Sequence, residues 1–181
     1  MNLWTKLPKG GRLERLALRV ALKSKYRRSE RVVILRSLEL LRDVQPYLKE
    51  AGHTLSAIIS ATEHTRLLGD ISKFLGRAET YTCAAATNQK LAGGVRASRA
   101  DASLLGVISL GRKSYPQWAS SGEDLAYSLK QSDLGTRGVV IADGVQDPGN
   151  MGSIVRTAAV LPGWGKFIAL GGSCIGSQKA L

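Results

Sequence analysis

The chain has 181 residues and is strongly basic, with 26 lysines and arginines against 14 acidic residues and a formal net charge of +12. Charge of that size favours a polyanionic partner over an acidic one, and 44% hydrophobic residues suffice for a packed core. No apolar run approaches the ~20 residues of a membrane helix and the start lacks a charged-then-apolar secretory signal; Cys83 and Cys174 stand alone, without a CxxC pair, so neither a disulfide framework nor a structural zinc site is expected.

The first segment carries much of the charge, since ten basic residues but only Glu14 and Glu30 as acids lie between Met1 and Arg31. Leu13, Leu16, Ala17, Val20 and Ala21 recur at helical spacing and predict a helix over residues 13–24, apolar on one side and charged on the other. The charged side can be merely solvated, or it can contact phosphates, which position RNA without reading its sequence; RNA contact is the preferred reading. A basic, acid-poor start also fits an organellar transit peptide, although this one is poor in serine.

Strands and helices then alternate. Strands are predicted at residues 31–35, 55–60, 79–83 and 104–110, with helices at 38–49, 63–75 and 88–91 between them. Pro46 is expected to interrupt and kink the helix that contains it. Residues 111–122, GRKSYPQWASSG, have glycine, proline and serine with little apolar periodicity and make the best boundary. The expected organisation is an α/β substrate-binding domain over 1–110, a linker with a short helix at 123–131 over 111–136, and an α/β domain over 137–181.

The most informative stretch is GVVIADGVQDPGNMGSIVRTAAV, residues 138–160. Residues 138–142 form an apolar run of buried-strand length, Asp147-Pro148-Gly149-Asn150 has turn chemistry, and Ile154, Val155, Ala158 and Ala159 have helical spacing over 153–160. A strand delivering its carboxyl end to a helix amino terminus is where open α/β sheets bind ligands. Asn150 is expected to cap that helix, and Asp143 and Asp147 to act as turn-formers and backbone acceptors.

Other patterns fail. Gly149 and Gly152 do not make a dinucleotide fingerprint, and Gly171 to Gly176 has P-loop glycine spacing without the following Lys-Ser. His53 and His64 have no ligand partners nearby. Trp4, Trp118 and Trp164 are too scattered for a base-stacking platform.

Asp143-Gly144-Val145-Gln146-Asp147-Pro148-Gly149-Asn150, then Gly152, then Arg156-Thr157-Ala158, resembles the first signature motif of the SpoU (TrmH) family of knotted RNA 2′-O-ribose methyltransferases, within the SPOUT superfamily. Weaker similarity covers most of the chain. Leu22-Lys23-Ser24-Lys25-Tyr26-Arg27 is similar to the basic start of the family's substrate-binding domain, Leu105 to Ser109 to its last strand, and Ser173 to Leu181 to the segment after the second strand of the catalytic domain. Where many members carry a Glu-Gly pair after the first strand, this sequence reads Leu35-Arg36-Ser37. The family's two further motifs, a Gly-Glu-Gly-Leu loop and a Ser-Leu-Asn-Val-Ser turn that form the knot and cofactor pocket, are absent, so the methyltransferase domain is expected to be cut short.

The resemblance implies methyl transfer from S-adenosylmethionine to a ribose 2′-hydroxyl of ribosomal or transfer RNA, by a homodimer without a metal. It makes Asn150 and Arg156 the catalytic candidates, and the basic start makes Lys23, Lys25, Arg27 and Arg28 the RNA-binding candidates; cofactor-binding residues are not assigned. Proposals for the family include arginine as general base, but with a pKa above 12 the neutral guanidine is on the order of 10⁻⁵ or less at pH 7. A charged Arg156 that clamps the phosphate beside the target ribose and stabilises the oxyanion is physically easier. The competing expectation is a non-enzymatic RNA-binding protein. The expected location is intracellular and cytoplasmic, with mitochondrion or plastid as the alternative.

Overall fold

The computed structural model describes residues 4–61, 78–93, 104–111, 122–130, 138–173 and 177. The helix expected at 63–75, His64, Trp118, Cys174 and the segment 178–181 lie outside them. The chain divides into two compact units, Met1–Tyr115 and Pro116–Leu181.

The first unit is built on a five-stranded sheet. In chain order its elements are β1 (Thr5–Lys6), α1 (Arg12–Leu22), α2 (Ser24–Ser29), β2 (Val32–Arg36), α3 (Leu38–Leu48), β3 (Thr54–Ala61), β4 (Glu79–Cys83), α4 (Ala85–Leu91) and β5 (Leu105–Ser109). The strand order is β1-β4-β3-β5-β2. Strand β4 runs parallel to both β1 and β3, whereas β5 runs antiparallel to both β3 and β2. The sheet is therefore mixed.

Successive side chains of a strand point to opposite faces, and here both faces are packed. Val32, Ile34, Ala57, Ile59, Leu105 and Val107 form one core with Ala17 and Val20 of α1 and Leu91 of α4. Leu35, Ile58 and Ile108 form the other with Leu41 of α3, against which Leu38, Val44 and Leu48 also pack. Full burial of each such aliphatic side chain is worth about 1.5–3 kcal/mol. Apolar runs such as VVIL in β2 arise because a strand covered on both faces has no side to leave polar. Cys83 belongs to the first core, and burial pushes its thiol up to about 11, outweighing the hydrogen bond with Asn88; it packs as a small apolar group.

The amphipathic stripe of the first helix does face the core, but residues 12–29 form two helices. Lys23 is extended between them, with φ −127° and ψ 119°. Arg27 closes the corner, its Nη1 donating to the carbonyls of Val20 at 2.8 Å and Ala21 at 3.0 Å. Those carbonyls sit at the end of α1, where intrahelical partners run out. Pro46 does not interrupt its helix as expected, since α3 runs through it to Leu48. A proline so close to a helix carboxyl end leaves only two helical residues beyond it to be disturbed.

The turn from β2 into α3 holds the least comfortable backbone. Ser37 has φ 91° and ψ 147°, a region that is essentially glycine's and costs other residues about 1–3 kcal/mol. The Ser37 N–H donates to Leu104 O at 3.0 Å, and its Oγ accepts from Leu40 N at 3.2 Å as the α3 cap. Glycine would relieve the strain and lose only a few tenths of a kcal/mol of capping. Ser37→Gly is accordingly expected to raise stability by about 1 kcal/mol, and Ser37→Ala, which keeps the strain and loses the cap, to lower it by a similar amount. Urea unfolding of the three proteins checks both signs.

The second unit contains α5 (Gly122–Lys130), β6 (Gly138–Asp143), α6 (Pro148–Val160) and β7 (Trp164–Leu170). Strands β6 and β7 pair in parallel, from Gly138 opposite Trp164 to Asp143 opposite Leu170. Ala142, Met151 and Ile168 are the buried apolar residues among those described in it, while Ile141 is 59% exposed. No helix among the described residues is long and apolar enough to cross a membrane.

Candidate functional site

Because β6 and β7 are parallel, both end on the same side, and the loops after them meet there. Gly144, at φ +63°, turns the chain after β6 and its N–H donates to Leu170 O at 2.8 Å. Ser173 then joins the loops twice: its N–H donates to Val145 O at 2.8 Å and its hydroxyl donates to Gln146 O. Gly172 makes that approach possible, having φ +66° and a backbone position where an added Cβ would stand 2.3 Å from Val145 O.

Out of this junction rises α6, and its start differs from expectation. Asp147 caps the helix, its Oδ1 accepting from Asn150 N at 2.8 Å. Pro148 follows in the first turn, where its missing N–H costs nothing and its fixed φ suits the helix. The helix thus begins at Pro148 instead of residue 153, and Asn150 is not the cap but lies within the first turn. Asp147 is the backbone acceptor the sequence suggested. Asp147→Ala should cost about 1 kcal/mol, while Asn150→Ala, at an exposed position, should stay within about 0.5 kcal/mol. Comparing their denaturation midpoints checks the assignment.

This shift frees the Asn150 side chain from capping. At 3.6 residues per turn, Asn150, Ser153, Arg156 and Thr157 fall within one third of the circumference, and all four are exposed. Met151 and Gly152 are the buried residues of the helix. Ser153 lies between Asn150 and Arg156 in sequence, its hydroxyl donating to Gly149 O at 3.0 Å and accepting from Arg156 Nη2 at 3.4 Å. Nothing in the sequence marked Ser153; only its place midway between the two candidates on a helix does so. The arrangement offers an amide and a guanidinium on one exposed strip, a donor set for phosphate or ribose oxygens.

A carboxylate at the amino terminus of α6 works against the approach of an anion to that end, because it already satisfies a backbone donor and offsets the dipole. Arg156 lies further along the same helix, away from that carboxylate-capped end. Among the described residues no group of three or more His, Cys, Asp and Glu could hold a metal ion.

The RNA-binding candidates belong to the first unit. Lys23, at the extended corner, and Lys25, on α2, are exposed. Lys25 Nζ lies 5.3 Å from the centroid of the Tyr26 ring, as does the Arg19 guanidinium carbon. Arg27 is half-buried and directs Nη1 into α1, so its described contacts are structural. The side chain of Arg28 lies outside the described residues. Tyr26 and Arg19 were not singled out from the sequence as contact residues.

No protein-family model and no curated protein matches the chain. Solved structures do match, among them rRNA and RNA 2′-O ribose methyltransferases and a SpoU methyltransferase. An rRNA methyltransferase from Sinorhizobium meliloti, bound to AdoMet, superposes with a TM-score of 0.63 at 14% identity, over 99% of this chain and 59% of its own. The SpoU methyltransferase AviRb from Streptomyces viridochromogenes, in complex with AdoMet, gives 0.62 at 15% identity over 94% and 57%. An RNA 2′-O ribose methyltransferase gives 0.57 at 17% identity over 96% and 58%. At these identities the likeness is one of fold. The chain spans under three fifths of the length of these proteins.

Proposed function

We propose that the chain is part of an S-adenosylmethionine-dependent RNA methyltransferase of SpoU type that modifies a ribose 2′-hydroxyl of ribosomal or transfer RNA, acting as a homodimer in the cytoplasm. The observation that carries this reading is the exposed strip of Asn150, Ser153 and Arg156 beside the carboxyl ends of two parallel strands. The fold likeness to RNA methyltransferases over nearly the whole chain supports it. On this reading residues 1–110 bind the substrate and 137–181 belong to the methyltransferase domain.

S-adenosylmethionine would supply an electrophilic methyl group. The loops that join at Gly172 and Val145 approach backbone to backbone, and none of their contacts is assigned to the cofactor. Asn150 and Arg156 are assigned to the ribose side. Asn150 orients the hydroxyl, a positioning effect. Arg156, kept in reach by Ser153, holds the neighbouring phosphate and stabilises negative charge developing on the 2′-oxygen.

The test is to incubate the protein with RNA and S-adenosylmethionine carrying a labelled methyl group, then digest with alkali. A ribose 2′-O-methyl leaves an alkali-stable dinucleotide; label only in mononucleotides would place the methyl on a base and end the 2′-O reading. A second reading, RNA binding without methyl transfer, is favoured by the exposed cations of α1. It predicts salt-sensitive RNA binding and no transferred label.

A further inference from the structure

Helix α1 is basic along a line. Arg12, Arg15 and Arg19 are exposed and recur at three- and four-residue steps, and exposed Lys23 continues the row at the corner. Positions so spaced share one helix face, and a four-residue step advances about 6 Å along it. The opposite face is committed to the core, where Ala17 is 0% and Val20 1% exposed. With its apolar side so used, α1 cannot bury that side in a lipid surface.

At the end of the row stands Tyr26, partly exposed, with the cations of Arg19 and Lys25 each 5.3 Å from its ring centroid. Arg27 holds the corner from within through the carbonyls of Val20 and Ala21. An aromatic ring with cations against it at the end of a line of basic side chains suits an unpaired nucleotide, because every base has a face that stacks and a phosphate beside it. Paired bases offer no such face, and side chains cannot read the deep, narrow major groove of an RNA duplex.

We infer that the α1–α2 corner binds a single-stranded stretch of RNA, with its phosphates along Arg12, Arg15, Arg19 and Lys23 and one unpaired base stacked on Tyr26. Binding exchanges the ring's contact with Lys25 for a base and turns Lys25 to that nucleotide's phosphate. The inference rests on the reading of the chain as an RNA-binding protein and adds to it the strandedness of the RNA and the stacking residue.

The experiment measures fluorescence anisotropy of labelled oligoadenylate, and of its duplex with oligouridylate, against the full chain at several salt concentrations. Wild type should prefer the single strand. Tyr26→Leu should weaken single-strand binding by about 5–150-fold, the range of one lost base stack, with the salt slope unchanged; Tyr26→Phe should bind as wild type does. Arg19→Gln should lower the slope by about 0.7, one phosphate contact. In Tyr26→Trp, oligoadenylate should quench the added indole emission, a readout that stands even if the leucine variant fails to fold. Single-strand binding that Tyr26→Leu leaves intact, an unquenched indole in the complex, or preference for the duplex overturns the inference while RNA binding survives. Absence of all RNA binding overturns both readings, and capture by phosphatidylserine vesicles in place of RNA does the same.

Discussion

If the proposed methyl transfer is right, Arg156→Ala is expected to lower its rate by about 10²–10³-fold, the loss typical of removing one donor to a developing oxyanion. Arg156→Lys should retain much more activity than the alanine variant, because it keeps the charge and loses only the planar fork. Equal loss in both would count against electrostatic stabilisation and return the general-base proposal to consideration. Neither change should alter stability by more than about 0.5 kcal/mol, as Arg156 lies on the exposed side of α6. Label transfer to RNA under single-turnover conditions separates this chemical effect from product release.

Gly172→Ala is expected to destabilise the second unit strongly. Its φ of +66° costs any L side chain about 1–2 kcal/mol, and a Cβ 2.3 Å from a backbone oxygen forces the two loops apart. Displacing well-packed neighbours costs about 1–3 kcal/mol more. Gly171 provides the control, for it has φ +61° and nothing within 4 Å of an added Cβ. Gly171→Ala should therefore show the conformational penalty alone. The difference between the two urea midpoints measures the close approach to Val145, and equal midpoints would show that the loops separate at no cost.

Strands were the most legible part of this sequence. Residues 79–83 were read with the bounds that β4 has, and β2, β3, β5 and β6 differ by a residue or so at their ends. The apolar runs of β2 and β5 are nearly continuous because both sheet faces of the first unit are covered. Strand β1 is not legible in the sequence since Thr5 and Lys6 are polar, exposed and held to the sheet by pairing with Tyr81 and Thr82; no periodicity of two residues can announce that. The break at Lys23 was equally hidden, because it depends on a capping arginine from the next helix.

At the candidate site, residue types were readable but not their duties. Asp147, Pro148 and Asn150 all suit a helix start, and only the backbone position shows that the aspartate is the cap and the asparagine is not. Likewise the row of α1 cations was visible as charge, while the closeness of Tyr26 to Arg19 and Lys25 depends on a corner between two helices. Sequence spacing within one helix cannot supply that.

Strand β1 also bears on how the protein is made. Thr5 pairs with Tyr81, and Val32 with Ser109, so the earliest strands find their partners only after most of the first unit has left the ribosome. At about 5–20 residues per second the wait is on the order of ten seconds. During it the apolar stripe of α1 has no sheet to cover it, and pairings so distant in sequence are slow to close even then. The nascent chain thus passes through a period in which a positively charged amphipathic helix is unsheltered beside ribosomal RNA, and its dependence on chaperones should be greatest there.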